Sequence, residues 1–182
     1  MATQRSHTGY SGQMAVLSEL LFRNCNAAIP VIDVGMDVFA FLDDREEVAR
    51  IQVKAAQGTP YHKGGGYRAK FNIPMKQLKA NDRPPLYYVF VVRLEEQWVS
   101  FLVISRLRLQ KLQEGNRPFG VANTASEDLA LQLRFRPSVD DPEKLSVRCG
   151  KVELGDYLDA WEQLPPLRSL NAATAAEEPL PS

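Results

Sequence analysis

The chain has few of the residues that build zinc centres and disulfide frameworks: among its 182 residues are two cysteines, Cys25 and Cys149, and two histidines. Two isolated cysteines cannot form a disulfide scaffold, and neither residue type recurs at the short spacings of a zinc site. We therefore interpret both cysteines as packing residues and expect a reduced, cytoplasmic setting.

Long apolar segments are also missing. No run approaches the roughly 20 residues of a membrane-spanning helix, and the N-terminus lacks the basic region and apolar core of a secretory signal. We therefore expect no membrane partner. The hydrophobic share of 45% suits a globular domain. We predict a single domain over residues 11–167, a loose segment over 1–10 and a disordered tail over 168–182.

The charge is balanced overall but unevenly distributed. A net charge of zero argues at first against a nucleic-acid partner. However, eight basic residues and only one acidic residue lie between Arg50 and Arg83, whereas the chain from Ser138 onward is mainly acidic. A basic centre permits one face to bind phosphates; the alternative is a solvated surface with uneven charge.

The order of the apolar patterns indicates an α/β domain. Leucine and methionine at helical spacing predict a first helix from about Gly12 to Asn24, with Ser11 as its N-cap. Later patterns predict strands over residues 67–73, 86–93, 97–104, 128–136 and 145–149, and helices over 75–80, 105–113 and 154–164. Helices alternating with strands predict a mixed central sheet flanked by helices.

The most informative stretch, from Asp37 to Lys54, has the pattern of a β-hairpin. Two apolar runs flank four turn-forming residues, Asp43 to Glu46. A turn of that length places Asp37 directly opposite Gln52, with Cβ atoms about 5 Å apart. Because Lys54 follows Gln52 by two residues, it points to the same face. A carboxylate, an amide and an ammonium group are therefore predicted to converge on one patch.

Such a patch suits metal-assisted hydrolysis of a phosphodiester. Mg²⁺ neutralises phosphate charge and activates water, and it needs only one or two carboxylates because it keeps several waters. Asp37 is the best candidate ligand, with the Gln52 amide oxygen and the Val53 carbonyl as neutral ligands. Lys54 would orient the attacking water or stabilise the phosphate. Glu19 would bring a second carboxylate from the first helix.

The combination of Glu19 on a helix, Asp37, and Gln52-Val53-Lys54 ending a hairpin resembles the PD-(D/E)XK nuclease superfamily over about residues 11–60. The resemblance implies a restriction-endonuclease-like fold and endonuclease activity on DNA with Mg²⁺ as cofactor and Mn²⁺ as the alternative. Gln52 stands where the family usually has a carboxylate, and this Gln-X-Lys form resembles some intron-encoded homing endonucleases. Because cutting both strands takes two sites, we expect a homodimer or a larger symmetric oligomer.

Other interpretations of these residues stay open. Asp37 could merely end a strand, Lys54 could snorkel from a sheet edge, and Glu19 could be a solvated helix residue. Asp33 is an alternative to Asp37 as the metal ligand. The two residues lie about 13 Å apart in an extended chain, so both cannot bind one ion unless the chain bends. The protein could also be a non-catalytic DNA-binding or protein-interaction relative, or an enzyme that acts on RNA.

Further candidate DNA contacts follow the hairpin. His62 and Lys63 lie in a glycine-bounded loop that could close over a phosphate backbone. Arg68 and Lys70 are two residues apart on a predicted strand, so they share one face. The alternative for all four is an ordinary exposed surface.

Overall fold

The computed structural model describes residues 4–31, 35–43, 46–80, 85–115 and 119–177. Within these ranges the helices are α1 (Gln4–Phe22), α2 (Met75–Lys79), α3 (Arg106–Glu114) and α4 (Pro165–Glu177). The strands are β1 (Asn26–Ala28), β2 (Val38–Phe41), β3 (Val48–Gln57), β4 (Thr59–Pro60), β5 (Tyr67–Pro74), β6 (Leu86–Leu94), β7 (Gln97–Ser105), β8 (Val121–Asn123), β9 (Asp128–Pro137), β10 (Leu145–Cys149) and β11 (Val152–Glu153).

The strands form two sheets. The first has the order β1-β2-β3-β6-β7, in which β3 and β6 run parallel and the other neighbours run antiparallel. The second has the order β11-β10-β9-β5-β4, with β8 also paired to β9, and its pairs are antiparallel. The predicted mixed α/β fold class is confirmed. The separation of the later strands into a second sheet was not predicted.

The two sheets pack face to face around the larger core. Along β5, buried residues alternate with exposed ones, so one face lies on the core and the other on the surface. Phe71 of β5 packs edge-on against Phe90 of β6, with ring centroids 5.0 Å apart. The central strand β6 is buried on both sides: Tyr88 and Phe90 face the second sheet, while Val89 and Val91 face a smaller core.

The smaller core lies between the first sheet and α1, which begins earlier than predicted. The helix starts at Gln4, and the Ser11 hydroxyl donates to the Thr8 carbonyl inside it (3.2 Å) instead of capping it. A Cβ atom at Gly12 would lie 2.4 Å from the Cβ of Ala55, so glycine permits the close approach of α1 to β3. Tertiary packing therefore stabilises a helical segment of low intrinsic propensity.

The C-terminal region corrects a second prediction. In place of a helix over 154–164 there are two short 3₁₀ turns, Gly155–Tyr157 and Trp161–Gln163, and α4 then begins at Pro165. Proline is well tolerated in the first turn of a helix, where its missing N–H has no helical partner. The two prolines therefore start a helix, and residues 168–177 are helical where a disordered tail was expected.

None of the helices in the described ranges is long and apolar enough to cross a membrane.

Candidate metal and phosphodiester site

The hairpin of β2 and β3 has the register that the turn length predicts. Val38 pairs with Ile51, so Asp37, one residue before β2, stands opposite Gln52. The Gln52 side-chain amide donates a hydrogen bond to Oδ2 of Asp37. The structure therefore brings together the first two predicted site residues. The turn residues 44 and 45 lie outside the described residues.

Hydrogen bonds hold Asp37 on several sides. The backbone N–H of Val53 donates to Oδ2 of Asp37 (2.7 Å), and the Asp37 N–H donates to the Ile51 carbonyl (2.8 Å). From α1, the Gln13 amide donates to the Asp37 carbonyl (2.6 Å). Because β2 begins only at Val38, no backbone carbonyl of β2 stands opposite Val53. The Asp37 carboxylate accepts the hydrogen bond of the Val53 N–H instead.

The Val53 carbonyl is oriented toward the same side. In a strand, the N–H and the C=O of one residue point to the same edge, as shown by antiparallel pairs that exchange both bonds. Since the N–H of Val53 meets the Asp37 carboxylate, its carbonyl oxygen also faces that edge of β3. A carboxylate and a carbonyl oxygen therefore lie on one edge of the first sheet.

The Gln52 side chain is buried, with 8% exposed, and belongs to a short chain of amides. A carboxylate only accepts hydrogen bonds, so Gln52 presents its NH₂ group to Asp37. Its oxygen accepts from the Gln77 amide (2.6 Å), which also donates to the Gly35 carbonyl (3.0 Å). The Tyr88 hydroxyl donates to the Gln77 oxygen (3.1 Å). Every member of this network therefore has a partner.

Gln77 is a site residue that the sequence analysis missed. The requirement that a buried amide find partners predicts a neighbour for Gln52 but not its identity. Gln77 reaches the site because α2 follows β5 and the Gln77 side chain meets Tyr88 of β6, which is a matter of long-range packing. It links Gln52 to the segment that carries Asp37.

Lys54 lies on the same side of the first sheet as Gln52. Alternate residues of a strand share a face, and the next residue in this alternation, Ala56, packs against the core between the two sheets. Lys54 is half-buried within the ten-residue strand β3, which fixes the base of its long side chain. The face predicted to hold a carboxylate, an amide and an ammonium group therefore carries all three.

Glu19 is not brought to this face, which corrects its predicted placement. Helix α1 covers the opposite side of the first sheet. There the Glu19 carboxylate pairs with Arg23, one turn further along the helix, and the Arg23 guanidinium lies 4.9 Å from the centre of the Trp161 ring. The α1 side chain that reaches Asp37 is Gln13.

Glu19 instead belongs to a charged cluster with Arg23 and Asp159. Burial raises the pKa of the Asp159 carboxyl, the Arg23 charge lowers it, and the Glu19 charge raises it again. The Arg23 charge therefore acts on both carboxylates, and Arg23 and Asp159 line one small pocket beside Trp161.

The donor set at Asp37 fits a magnesium ion that keeps most of its waters. One carboxylate and one carbonyl are enough for such an ion. Gln52 would add a third oxygen only after its amide turned, because its NH₂ group faces Asp37. In the part of the chain that the structure describes, no group of three or more His, Cys, Asp or Glu residues could hold a metal. The alternative carboxylate, Asp33, lies outside the described residues.

A second candidate site covers the outer face of the second sheet. Arg68 and Lys70 are both exposed on β5, on the face that points away from the core, as their spacing predicts. Arg134 of β9 stands directly opposite Arg68, and Arg148 of β10 stands directly opposite Arg134. Sequence analysis missed the last two, because only the pairing of distant strands places them beside Arg68.

The glycine-bounded loop lies at the end of this face. The Tyr61 N–H donates to the Gly66 carbonyl (3.0 Å), which closes the loop that carries His62 and Lys63. Gly66 has φ +82°, and a Cβ atom there would lie 2.1 Å from the Phe135 carbonyl, so only glycine fits. Both His62 and Lys63 are exposed. The structure therefore places all four predicted DNA-binding residues on or beside one surface.

Comparison with known proteins supports the fold. No protein-family model matches the chain, and no curated protein matches it. Among solved structures, the chain is similar to a bacterial homing endonuclease, I-Ssp6803I, with a TM-score of 0.52 and 16% sequence identity. The alignment covers 97% of this chain and 100% of that one. The likeness shows a nuclease-like α/β fold.

Proposed function

We propose that the protein is a magnesium-dependent endonuclease that hydrolyses DNA phosphodiester bonds, with Mn²⁺ as an alternative cofactor. The observation that carries this proposal is the position of Asp37, which is hydrogen-bonded to Gln52 and Val53 at a sheet edge, with Lys54 on the same face. The shared fold with a homing endonuclease and the PD-(D/E)XK resemblance both support the same function.

Each residue has a distinct role in this proposal. The Asp37 carboxylate and the Val53 carbonyl would hold the cation, which would neutralise phosphate charge and activate water for attack. The Lys54 ammonium would donate to the attacking water or to a non-bridging phosphate oxygen, from a strand that restricts its motion. Gln52 would contribute as a neutral ligand after its amide turned, with its orientation controlled by Gln77.

Replacing Gln77 by leucine tests the role of the amide chain. The change leaves the buried oxygen of Gln52 without its donor, so we expect the free energy of unfolding to fall by about 1–3 kcal/mol. Because Gln52 also loses its fixed orientation, we expect the Mg²⁺ concentration for half-maximal cleavage to change. Urea unfolding and a Mg²⁺ titration of the cleavage rate measure the two effects.

Tyr88→Phe is the matched control for this change. It removes one hydrogen bond from the same network but leaves the bond between Gln77 and Gln52 in place. We expect lower stability with an unchanged Mg²⁺ titration. If Gln77→Leu and Tyr88→Phe give the same titration curve as the wild type, Gln77 has only a structural role.

The rival proposal from another class is a non-catalytic relative that binds DNA or another protein. The orientation of Gln52 favours this rival, because an amide NH₂ group facing Asp37 is not a metal ligand. An enzyme that acts on RNA is a third possibility. Incubating the protein with supercoiled, linear and branched DNA and with RNA, each with and without Mg²⁺, separates the three. Cleavage of DNA that requires Mg²⁺ supports the proposal, and binding without any cleavage supports the rival.

A nuclease that cuts both strands needs two sites, so we propose a homodimer or a larger symmetric oligomer. Sedimentation velocity of the protein alone and with duplex DNA measures the assembly. We expect a species of at least twice the chain mass of 20.4 kDa. A strict monomer, even with DNA present, would count against cleavage of both strands by one assembly. The cytoplasmic location stays a prediction.

A further inference from the structure

Three arginines form a straight row across the outer face of the second sheet. Arg68, Arg134 and Arg148 occupy directly paired positions on the neighbouring strands β5, β9 and β10. All three are exposed, and their side chains point away from the core. With strands about 4.8 Å apart, the row spans about 10 Å.

Such a row is unfavourable in the isolated protein. Like charges directly opposite each other on adjacent strands destabilise a sheet. Arg148 has a carboxylate partner, Glu153, but among the described residues no carboxylate lies within ion-pair distance of Arg68 or Arg134. The row therefore has a positive charge that a bound anion would offset.

The neighbouring side chains extend the charge in both directions. Lys70 lies one row away, opposite Gln132. On the other side, Arg136 lies over the Tyr61 ring, with its guanidinium 4.3 Å from the ring centre, so its position is restrained. Two surface pockets of about 720 and 300 Å³ flank Arg134, so this face of the sheet is not flat. This extended positive surface is larger than a single small anion needs.

We propose that the arginine row, together with Lys70 and Arg136, is a docking site for the phosphate backbone of double-stranded DNA. This inference rests on the proposed function. One strand of a duplex carries a phosphate about every 3.4 Å along the helix axis, so a row of 10 Å spans about three of them. Contacts of this kind position the duplex without reading its sequence.

The row lies away from Asp37. The Asp37 side chain is on the side of the first sheet that faces the second sheet, whereas the row is on the far side of the second sheet. One phosphate cannot contact both. The row would therefore contact DNA at a distance from the cleaved bond. Removing its arginines would weaken DNA binding but leave the cleavage rate of bound DNA unchanged.

The test compares two double variants with equal loss of charge. Arg68→Gln with Arg134→Gln removes two members of the row. Lys111→Gln with Arg168→Gln removes two exposed cations of α3 and α4, outside this face. Affinity for a 40-base-pair duplex is measured by fluorescence anisotropy in EDTA at several KCl concentrations. The single-turnover cleavage rate is measured in Mg²⁺ with saturating protein.

We expect the row variant to bind about 30-fold more weakly at 0.15 M salt, and its log–log salt slope to fall by about 1.8, since two phosphate contacts are lost. Its saturated cleavage rate should equal that of the wild type. The control variant should bind as the wild type does. Equal affinity and equal slope for both variants would overturn the inference, as would a wild-type protein without affinity for duplex DNA. Tight binding without cleavage would contradict only the proposed catalysis.

Discussion

Replacing Asp37 by asparagine should reduce Mg²⁺-dependent DNA cleavage by about a thousandfold or more. The substitution removes the one negative charge that the described part of the site offers to a cation. A bound cation contributes several kcal/mol to transition-state stabilisation, and each 1.36 kcal/mol corresponds to a tenfold change in rate. Single-turnover nicking of supercoiled plasmid, with and without Mg²⁺, measures the loss.

The asparagine variant separates chemistry from folding. Its side-chain oxygen can still accept the hydrogen bonds that Gln52 and Val53 donate to Asp37. We therefore expect duplex affinity in EDTA and the thermal unfolding midpoint to stay close to the wild-type values. A variant that folds, binds DNA and cleaves within tenfold of the wild-type rate would remove Asp37 from the catalytic site.

Replacing Lys54 by methionine should slow cleavage by about 100- to 1,000-fold, the usual effect of removing one aligned donor from a charged transition state. Methionine keeps much of the apolar stem of lysine but has no charge, so the packing of β3 should change little. The Mg²⁺ concentration for half-maximal cleavage should stay nearly constant, because the ammonium group is not a metal ligand. Single-turnover rates across a Mg²⁺ titration measure both quantities.

Lys111→Met is the matched control for the change at Lys54. Lys111 is exposed on α3, outside the hairpin of β2 and β3 that carries the proposed site. We expect the control variant to cleave at the wild-type rate. If both lysine variants are equally active, the proposed role of Lys54 is wrong. If both are equally slow, the effect comes from net charge and not from the position of Lys54.

The register of the hairpin was predictable because it is a local property. A turn of known length fixes which residues face each other, and a shift by one residue would expose the apolar face of the strand. Asp37 and Gln52 were therefore placed correctly from sequence alone. The shared face of Arg68 and Lys70 followed in the same way from the two-residue period of a strand.

Residues that depend on long-range packing were not predictable in this way. Gln77 meets Gln52 across 25 positions of sequence, from the helix that follows β5, and Arg134 reaches Arg68 because β5 pairs with the distant β9. Glu19 was misplaced for the same reason: helical spacing predicts a buried stripe but not which side of a sheet the helix covers. Pro165 and Pro166 begin α4, because proline fits the first turn of a helix, whereas the sequence pattern predicts a helix that ends before them.

The fold gives the three side chains of the proposed catalytic face a rigid setting. Asp37 is tied to α1, β3 and, through Gln52, to α2, so three elements fix its position. Sites held by regular elements and supporting hydrogen bonds keep the geometry that catalysis requires. The arginine row, on a different sheet, would let binding and chemistry be changed independently.

The most direct test of a cation site at Asp37 is a crystal of the protein soaked in Mn²⁺, with the ion located from its anomalous scattering. We predict a peak within coordination distance of a carboxylate oxygen of Asp37, with the carbonyl oxygen of Val53 as a second ligand. A crystal saturated with Mn²⁺ that shows no peak beside Asp37, or shows one only at other residues, would contradict the proposal.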